Sequence, residues 1–269
     1  MILSHKHKFI FFKTKKTAST SLEIVLSKLC GQKDIITPVS EITWTGQIRR
    51  FEKNNEEDLR KKISALNPQN FKGSFLFEIF FLIKQFFHFY FKKFMISLLS
   101  STKNKVFKAK RRFKYDQHME IIELKKYVNN KIFKNYLKFA VVRNPYDQAI
   151  SDYYDQSFRP EHIKYKNFDD YLDKRVNYFF YKNKRKFTIN DKIMLDDVIK
   201  YETLEKDLKR ILKKLKIKDK SVINDLKKIK AHGGLRKGKV TKNRLNKNQK
   251  KKIKKAANFF LNNFYHKVR

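Results

Sequence analysis

Three short apolar runs in the chain are each followed by a segment with a helical pattern. Phe9–Phe12 and residues 139–142 are continuous apolar runs, which are typical of strands buried on both faces. Val198 and Ile199 mark a third, shorter strand. Strands that alternate with helices favour an α/β fold, with a mainly parallel central sheet flanked by helices on both faces.

Helical periodicity is clearest after the first and third runs and near the end of the chain. Thr20 and Glu23 form a capping-box pattern that predicts the start of the first helix, and Pro145 predicts a turn or the first turn of the second. The apolar positions at helical spacing are Leu22, Val25, Leu26 and Leu29, then Leu204, Leu208, Ile211, Leu212 and Leu215, and finally Ile253, Ala256, Ala257, Phe260, Leu261 and Phe264, which predict one last helix.

A long region of about residues 43–114 separates the first two units. No Pro-, Gly- or Ser-rich linker divides the chain, so we expect a single domain over residues 1–269 with residues 43–114 as a helical insertion. Its Phe-rich stretch, residues 75–99, is interrupted by charges and is not expected to span a membrane. Because its polar residues form one narrow stripe on a helical wheel, this helix must be buried, paired or in contact with lipid.

The composition is strongly basic. The 269 residues include 65 Lys plus Arg and 26 Asp plus Glu, which gives a formal net charge of +39. Such a charge is typical of nucleic-acid-binding proteins, but no recognisable DNA-binding motif accompanies it, and a nucleic-acid partner is not expected. The basic run at residues 103–114 predicts a solvated face, with a polyanionic acceptor or an anionic membrane surface as the alternatives.

The cysteine count and the first residues bear on the compartment. Cys30 is the single cysteine, and neither a CxxC pair nor an HExxH helix is present, so we expect neither a disulfide nor a metal site. Residues 1–16 carry five Lys and no long apolar core, which argues against a secretory signal. A cytoplasmic location is expected, with peripheral membrane contact as an alternative.

The polar segment at residues 16–21 joins the first strand directly to its helix. Free backbone N–H groups and the positive end of the helix dipole meet there with Lys16 and several hydroxyl groups, so the segment predicts a phosphate site. The GxxxxGK[ST] loop of nucleotide kinases is absent. The alternative interpretation is that Ser19 and Thr20 are ordinary helix caps and Lys16 is a solvated cation.

A second candidate anion site follows the second strand. Arg143 stands at the carboxyl end of that strand, and Ser151 lies two turns into the next helix. Ligands of open α/β sheets bind at this edge, and the planar fork of Arg suits a dianionic phosphate, although Arg143 alone could be an ordinary ion-pairing residue. Two such sites at neighbouring strand ends imply a ligand with two separated phosphate-like groups.

These segments resemble the sulfotransferases that use 3′-phosphoadenosine 5′-phosphosulfate (PAPS), in particular the carbohydrate-type branch. The resemblance rests on residues 9–21 and 139–151, with shorter landmarks at residues 117–119, 199–202 and 231–236. It implies a P-loop-like sulfotransferase fold. It also implies an enzyme that moves a sulfuryl group from PAPS to a hydroxyl of a carbohydrate or other small acceptor, without a metal.

The resemblance also implies roles for individual residues. The 5′-phosphosulfate would be bound by Lys16, Thr17, Ala18, Ser19, Thr20 and Ser21, the 3′-phosphate by Arg143 and Ser151, and a further part of the nucleotide by Arg236, Lys237 and Gly238. Lys16 would also offset the charge that develops on the departing phosphate.

His118 falls where the family places its candidate base. The reference pKa of imidazole is ~6.5, which suits a group that takes the proton of an attacking hydroxyl. His162 and His232 are the alternatives for this role, and Asp116 and Glu120 flank His118 and could orient it. A catalytically silent protein of the same fold, binding a polyanion or a membrane surface, is the alternative to an enzyme.

Overall fold

A five-stranded sheet lies at the centre of the protein. The structure is a computed structural model that describes residues 1–37, 115–158, 164–219, 221–229 and 241–265. The strands of this sheet are β1 (Ile2–Ser4), β2 (Phe9–Phe12), β3 (Ile35–Ile36), β4 (Leu137–Val142) and β7 (Asp197–Lys200), and a separate hairpin consists of β5 (Thr188–Ile189) and β6 (Lys192–Ile193).

Four of the five strands run in the same direction. The strand order is β3-β1-β2-β4-β7, and β4 pairs in parallel with both of its neighbours, β2 and β7. β1 pairs antiparallel with β2 and with β3, so β1 alone in this sheet has the opposite direction. The predicted mainly parallel sheet is confirmed.

Helices cover both faces of the sheet. Alternate residues of β2 and β4 point to opposite faces, as the period of a strand requires. The helices are α1 (Ser19–Leu29), α2 (Ile121–Tyr127), α3 (Asn130–Asn135), α4 (Pro145–Phe158), α5 (Phe168–Lys174), α6 (Val176–Lys184), α7 (Leu204–Lys214), α8 (Ser221–Lys228), α9 (Lys247–Ala256) and α10 (Asn258–Phe264). Phe9 and Phe139 share a cluster of buried residues with α1, α7 and α8, whereas Phe12 and Ala140 share one with α4, α5, α6, α9 and α10.

Two local predictions are wrong. Ala18, not Thr20, is the N-cap of α1, and Glu23 is fully buried, where its carboxylate lies 3.0 Å from Lys13 Nζ and 2.9 Å from the backbone nitrogen of Met1. Glu23 is therefore an ion-pair partner rather than part of a capping box. The predicted last helix is two helices, α9 and α10, because the backbone turns out of helical geometry at Ala257.

Several predicted features lie outside the described residues. They are the insertion at residues 43–114 with its Phe-rich stretch and basic run, the two alternative bases His162 and His232, and the segment Arg236, Lys237 and Gly238. The described residues all fall in one compact unit. Among them, no helix combines the length and the apolar character needed to cross a membrane.

The central strand offers a direct test of this packing. Phe139 is fully buried, and its ring centroid lies 5.6 Å from that of Phe9 and 5.5 Å from that of Phe11. We expect Phe139→Ala to lower the free energy of unfolding in urea by ~3–5 kcal/mol. The control Tyr178→Ala removes a side chain that is 57% exposed and should change it by less than ~0.5 kcal/mol. Equal effects of the two variants would contradict the assigned core.

Candidate active site at the sheet edge

The parallel pairing of β2 with β4 brings two loops to the same edge of the sheet. Phe12 lies opposite Ala140, so the loop after β2 and the loop after β4 begin side by side at the carboxyl ends of their strands. Arg143 Nη1 donates a hydrogen bond of 3.1 Å to the backbone oxygen of Lys16. The two predicted anion-binding segments are therefore in direct contact.

The loop between β2 and α1, residues 13–18, has an unusual backbone. Lys16 has φ 63° and Ala18 has φ 58°, both in the left-handed region that favours glycine. For a residue with a Cβ atom, this conformation costs roughly 1–2 kcal/mol. Such residues persist only where the surrounding structure imposes them, and they concentrate at functional sites.

The start of α1 is open to an anion. Ala18 is its N-cap, and an alanine has no side-chain oxygen to accept from the first N–H groups of the helix. These N–H groups and the positive end of the helix dipole therefore point out of the helix end without a side-chain cap. An anionic group is the natural acceptor for such a helix start.

The hydroxyl groups of the loop do not all face the ligand side. Thr17 Oγ1 lies 2.8 Å from Thr14 Oγ1, and Ser19 Oγ donates to the backbone oxygen of Thr14 at 2.5 Å. Thr17, Ser19 and Ser21 are buried, whereas Lys16, Ala18 and Thr20 are partly exposed. The hydroxyl groups of Thr17 and Ser19 therefore form hydrogen bonds within the loop. The sequence did not predict these bonds.

Lys16 has a carboxylate partner that the sequence analysis missed. Its Nζ lies 2.9 Å from Asp155 Oδ1, and the two side chains are 17% and 12% exposed. Ser151 precedes Asp155 by four residues on α4, which places both on one face of the helix. The face of α4 that carries Ser151 is therefore the face that meets Lys16.

Arg143 lies against the segment that follows β7. Its guanidinium carbon is 4.2 Å from the centroid of the Tyr201 ring. Glu202 accepts from the backbone nitrogen of Asn144 at 2.7 Å and from the Tyr265 hydroxyl at 2.8 Å. Burial, together with the bond to Glu202, raises the pKa of Tyr265, so its hydroxyl stays a donor. Residues 199–202 and Tyr265 are thus gathered around the Arg143 loop.

His118 is bonded directly to the loop after β2. Its Nδ1 lies 3.1 Å from the backbone oxygen of Lys13. Because a carbonyl only accepts, Nδ1 carries the proton and Nε2 keeps its lone pair, the arrangement that a base requires. Asp116 accepts from the backbone N–H of His118 at 2.7 Å, so it orients the backbone rather than the ring.

Glu120 does not orient the His118 ring either. Its carboxylate lies 3.3 Å from Lys182 Nζ and 2.6 Å from Arg185 Nη2. These cations stand on and just after α6, and Lys186, next in the chain, donates from Nζ to the backbone oxygen of His118. The C-terminal end of α6 is therefore fastened to the segment that carries His118.

Positive charge surrounds the imidazole of His118. Burial lowers its pKa to about 2, and the charges of Lys13 and Lys186 act in the same direction. Burial also lowers the pKa of Lys186, to about 8. His118 is accordingly neutral at physiological pH.

No group of three or more His, Cys, Asp or Glu in the described residues is arranged to hold a metal ion.

The lowered pKa of His118 predicts a pH dependence of stability. Below its ordinary pKa of 6.5, His118 binds a proton in the unfolded chain, whereas in the folded protein it does not bind one until about pH 2. Protonation therefore favours the unfolded chain, and the free energy of unfolding decreases as the pH falls below 6.5. Between about pH 7 and about pH 5, the free energy of unfolding in urea should fall by ~2 kcal/mol more for the wild type than for His118→Gln. Parallel curves for the two proteins would show that His118 titrates normally in the fold.

Comparison with known proteins matches residues 1–267 to the sulfotransferase family. No curated protein and no solved structure matches the chain. The match covers nearly the whole chain and includes both loops that meet at the sheet edge. The chain belongs to the sulfotransferase family, whose activity is the transfer of a sulfuryl group.

Proposed function

We propose that this protein transfers a sulfuryl group from PAPS to a hydroxyl of a carbohydrate or other small acceptor. The observation that carries the proposal is the contact between Arg143 and the backbone of Lys16 at the open start of α1. Two anion-binding groups at one sheet edge fit a nucleotide that carries phosphates at both its 5′ and 3′ positions.

The residues present suit the donor. Lys16 and the N–H groups at the start of α1 would hold the 5′-phosphosulfate, and Arg143 and Ser151 would hold the 3′-phosphate. The ammonium of Lys16 has three N–H donors, so it can bind an anion while it keeps its ion pair with Asp155. The role of Arg236, Lys237 and Gly238 stays a prediction. PAPS, when bound, supplies a sulfuryl group attached to a phosphate that can depart.

The chain's own groups then have distinct tasks. His118 Nε2 takes the proton of the acceptor hydroxyl, while Lys13 keeps the Nδ1 proton in place through its backbone oxygen. The ammonium of Lys16 offsets the charge that develops on the departing phosphate oxygen. Lys13 and Lys186 disfavour an imidazolium at His118. Burial is the larger cause of the lowered pKa of His118, and a bound anion would offset only the part that comes from the two lysines, which would raise the basicity of His118 when the donor is present.

The nature of the acceptor is supported by the sequence resemblance alone. The carbohydrate-type motifs at residues 9–21 and 139–151 favour a glycan hydroxyl. Contact of residues 75–114 with an anionic membrane and a cytoplasmic location stay predictions from the sequence. The alternative is a catalytically silent protein of this fold that binds a polyanion or a membrane surface without turnover, and an absent effect of adenine nucleotides on the melting temperature would favour it.

Nucleotide binding tests the two-phosphate site. At 100 times its Kd, 3′,5′-phosphoadenosine should stabilise the folded protein by about 2.7 kcal/mol, seen as a higher melting temperature. Adenosine 5′-monophosphate lacks the 3′-phosphate and should give a smaller shift. Arg143→Ala should remove most of the difference between the nucleotides. Equal shifts with both nucleotides in the wild type would remove the case for Arg143 and Ser151.

Turnover of PAPS tests the catalytic roles. With a panel of glycans and small hydroxylated compounds as acceptors, Lys16→Ala and His118→Ala should each lower kcat at least ~100-fold. His118→Ala should leave nucleotide affinity nearly unchanged, since His118 is assigned to the acceptor. The control His7→Ala lies in the turn between β1 and β2, at the opposite end of the strands, and should keep normal kcat. Normal kcat in His118→Ala would move the base role to His162, His232 or a carboxylate.

A further inference from the structure

Two buried side-chain amides hold the peptide groups of Lys15, the residue before Lys16. The backbone nitrogen of Lys15 donates to Asn183 Oδ1 at 2.7 Å, and Gln148 Nε2 donates to the backbone oxygen of Lys15 at 2.8 Å. Asn183 and Gln148 are each 1% exposed. The loop is thus gripped by two elements, α6 and α4, that are distant from it in sequence.

Asn183 occupies a core position of α6. The buried residues of this helix are Val176, Phe179, Phe180 and Asn183, the spacing of a face that packs inward. An apolar residue would suit this position, since a buried amide is unfavourable unless it is hydrogen-bonded. Its nitrogen donates to the backbone oxygen of Phe179 at 3.2 Å, and its oxygen accepts only from the loop among the described residues.

Gln148 is also a buried amide at a position where an apolar side chain would be more favourable. Its nitrogen serves the loop, while its Oε1 is buried without a hydrogen-bond partner in the part of the chain that the structure describes. A buried acceptor without a partner lowers stability, so an apolar side chain would pack better here. Unlike an apolar residue, the glutamine supplies a hydrogen-bond donor to the backbone oxygen of Lys15.

The bonds act on the peptide planes that determine the conformation of Lys16. The peptide plane before Lys16 contains the Lys15 oxygen, which Gln148 holds, and the plane after it contains the Lys16 oxygen, which Arg143 holds. Asn183 fixes the preceding plane through the Lys15 nitrogen. With these planes fixed, Lys16 is kept at its positive φ although the loop contains no glycine.

We propose that Asn183 and Gln148 are positioning residues that hold the loop at residues 13–18 in its anion-binding conformation. They take the place of the glycines that usually allow such a backbone. The inference rests on the proposed function, because the loop is there the binding site of the 5′-phosphosulfate.

The test combines loss and rescue of nucleotide affinity. Asn183→Leu and Gln148→Met remove the hydrogen bonds but keep the volume, and each should weaken binding of 3′,5′-phosphoadenosine at least ~10-fold in titration calorimetry, because fewer molecules hold the competent loop. Adding Ala18→Gly should restore part of the lost affinity, because it removes the strain at the second left-handed residue of the same loop and so raises the fraction of molecules with the competent loop. Asn177→Leu, on the exposed side of α6, should bind like the wild type.

A second measurement needs no ligand. Hydrogen exchange at the Lys15 amide should be faster in Asn183→Leu than in Asn177→Leu, because Asn183 is its hydrogen-bond acceptor. Unchanged exchange, or an affinity loss that Ala18→Gly does not reduce, overturns the positioning role. Failure of the wild type to bind 3′,5′-phosphoadenosine overturns the proposed function itself. If Asn183→Leu or Gln148→Met does not fold, Asn183→Ala or Gln148→Ala takes its place. The same changes in affinity and in hydrogen exchange are expected of these variants.

Discussion

The parallel pairing of β2 with β4 determines where the functional groups of this protein meet. With Phe12 opposite Ala140, the chain leaves both strands at the same edge, and Arg143 reaches the backbone of Lys16. α1 starts at that edge as well, so its N–H groups join the two cations. A one-residue slip of this register would turn every side chain of β2 to the other face and would separate the loops.

The loop at residues 13–18 has a strained backbone that neighbouring side chains hold in place. Lys16 and Ala18 adopt left-handed conformations, and side chains from α4, from α6 and from Arg143, which follows β4, hold the carbonyl and N–H groups of Lys15 and Lys16. The same segment anchors His118 through the backbone oxygen of Lys13. A displacement of the loop would therefore alter both the proposed anion site and the proposed base, which would couple donor binding to proton transfer.

The sequence predicted those parts of the fold that leave a periodic pattern. The strand–helix units at β2, β4 and β7 were predictable because burial imposes apolar runs and helical spacing, and the adjacency of Lys16 and Arg143 follows from the α/β rule. Glu23 was misassigned because its partner Lys13 belongs to a loop, and a buried ion pair has no periodic pattern. Asp155 was equally hidden, whereas Asn183 in an apolar stripe was a visible signal.

The most direct test of sulfuryl transfer is to follow both products of one reaction. The protein is incubated with PAPS and the acceptor panel, and the sulfated acceptor is measured by mass spectrometry while 3′,5′-phosphoadenosine is measured by chromatography. Transfer from PAPS to a hydroxyl predicts that the two products appear in equal amounts. Nucleotide that binds without yielding a sulfated acceptor, or that is desulfated without one, would contradict it.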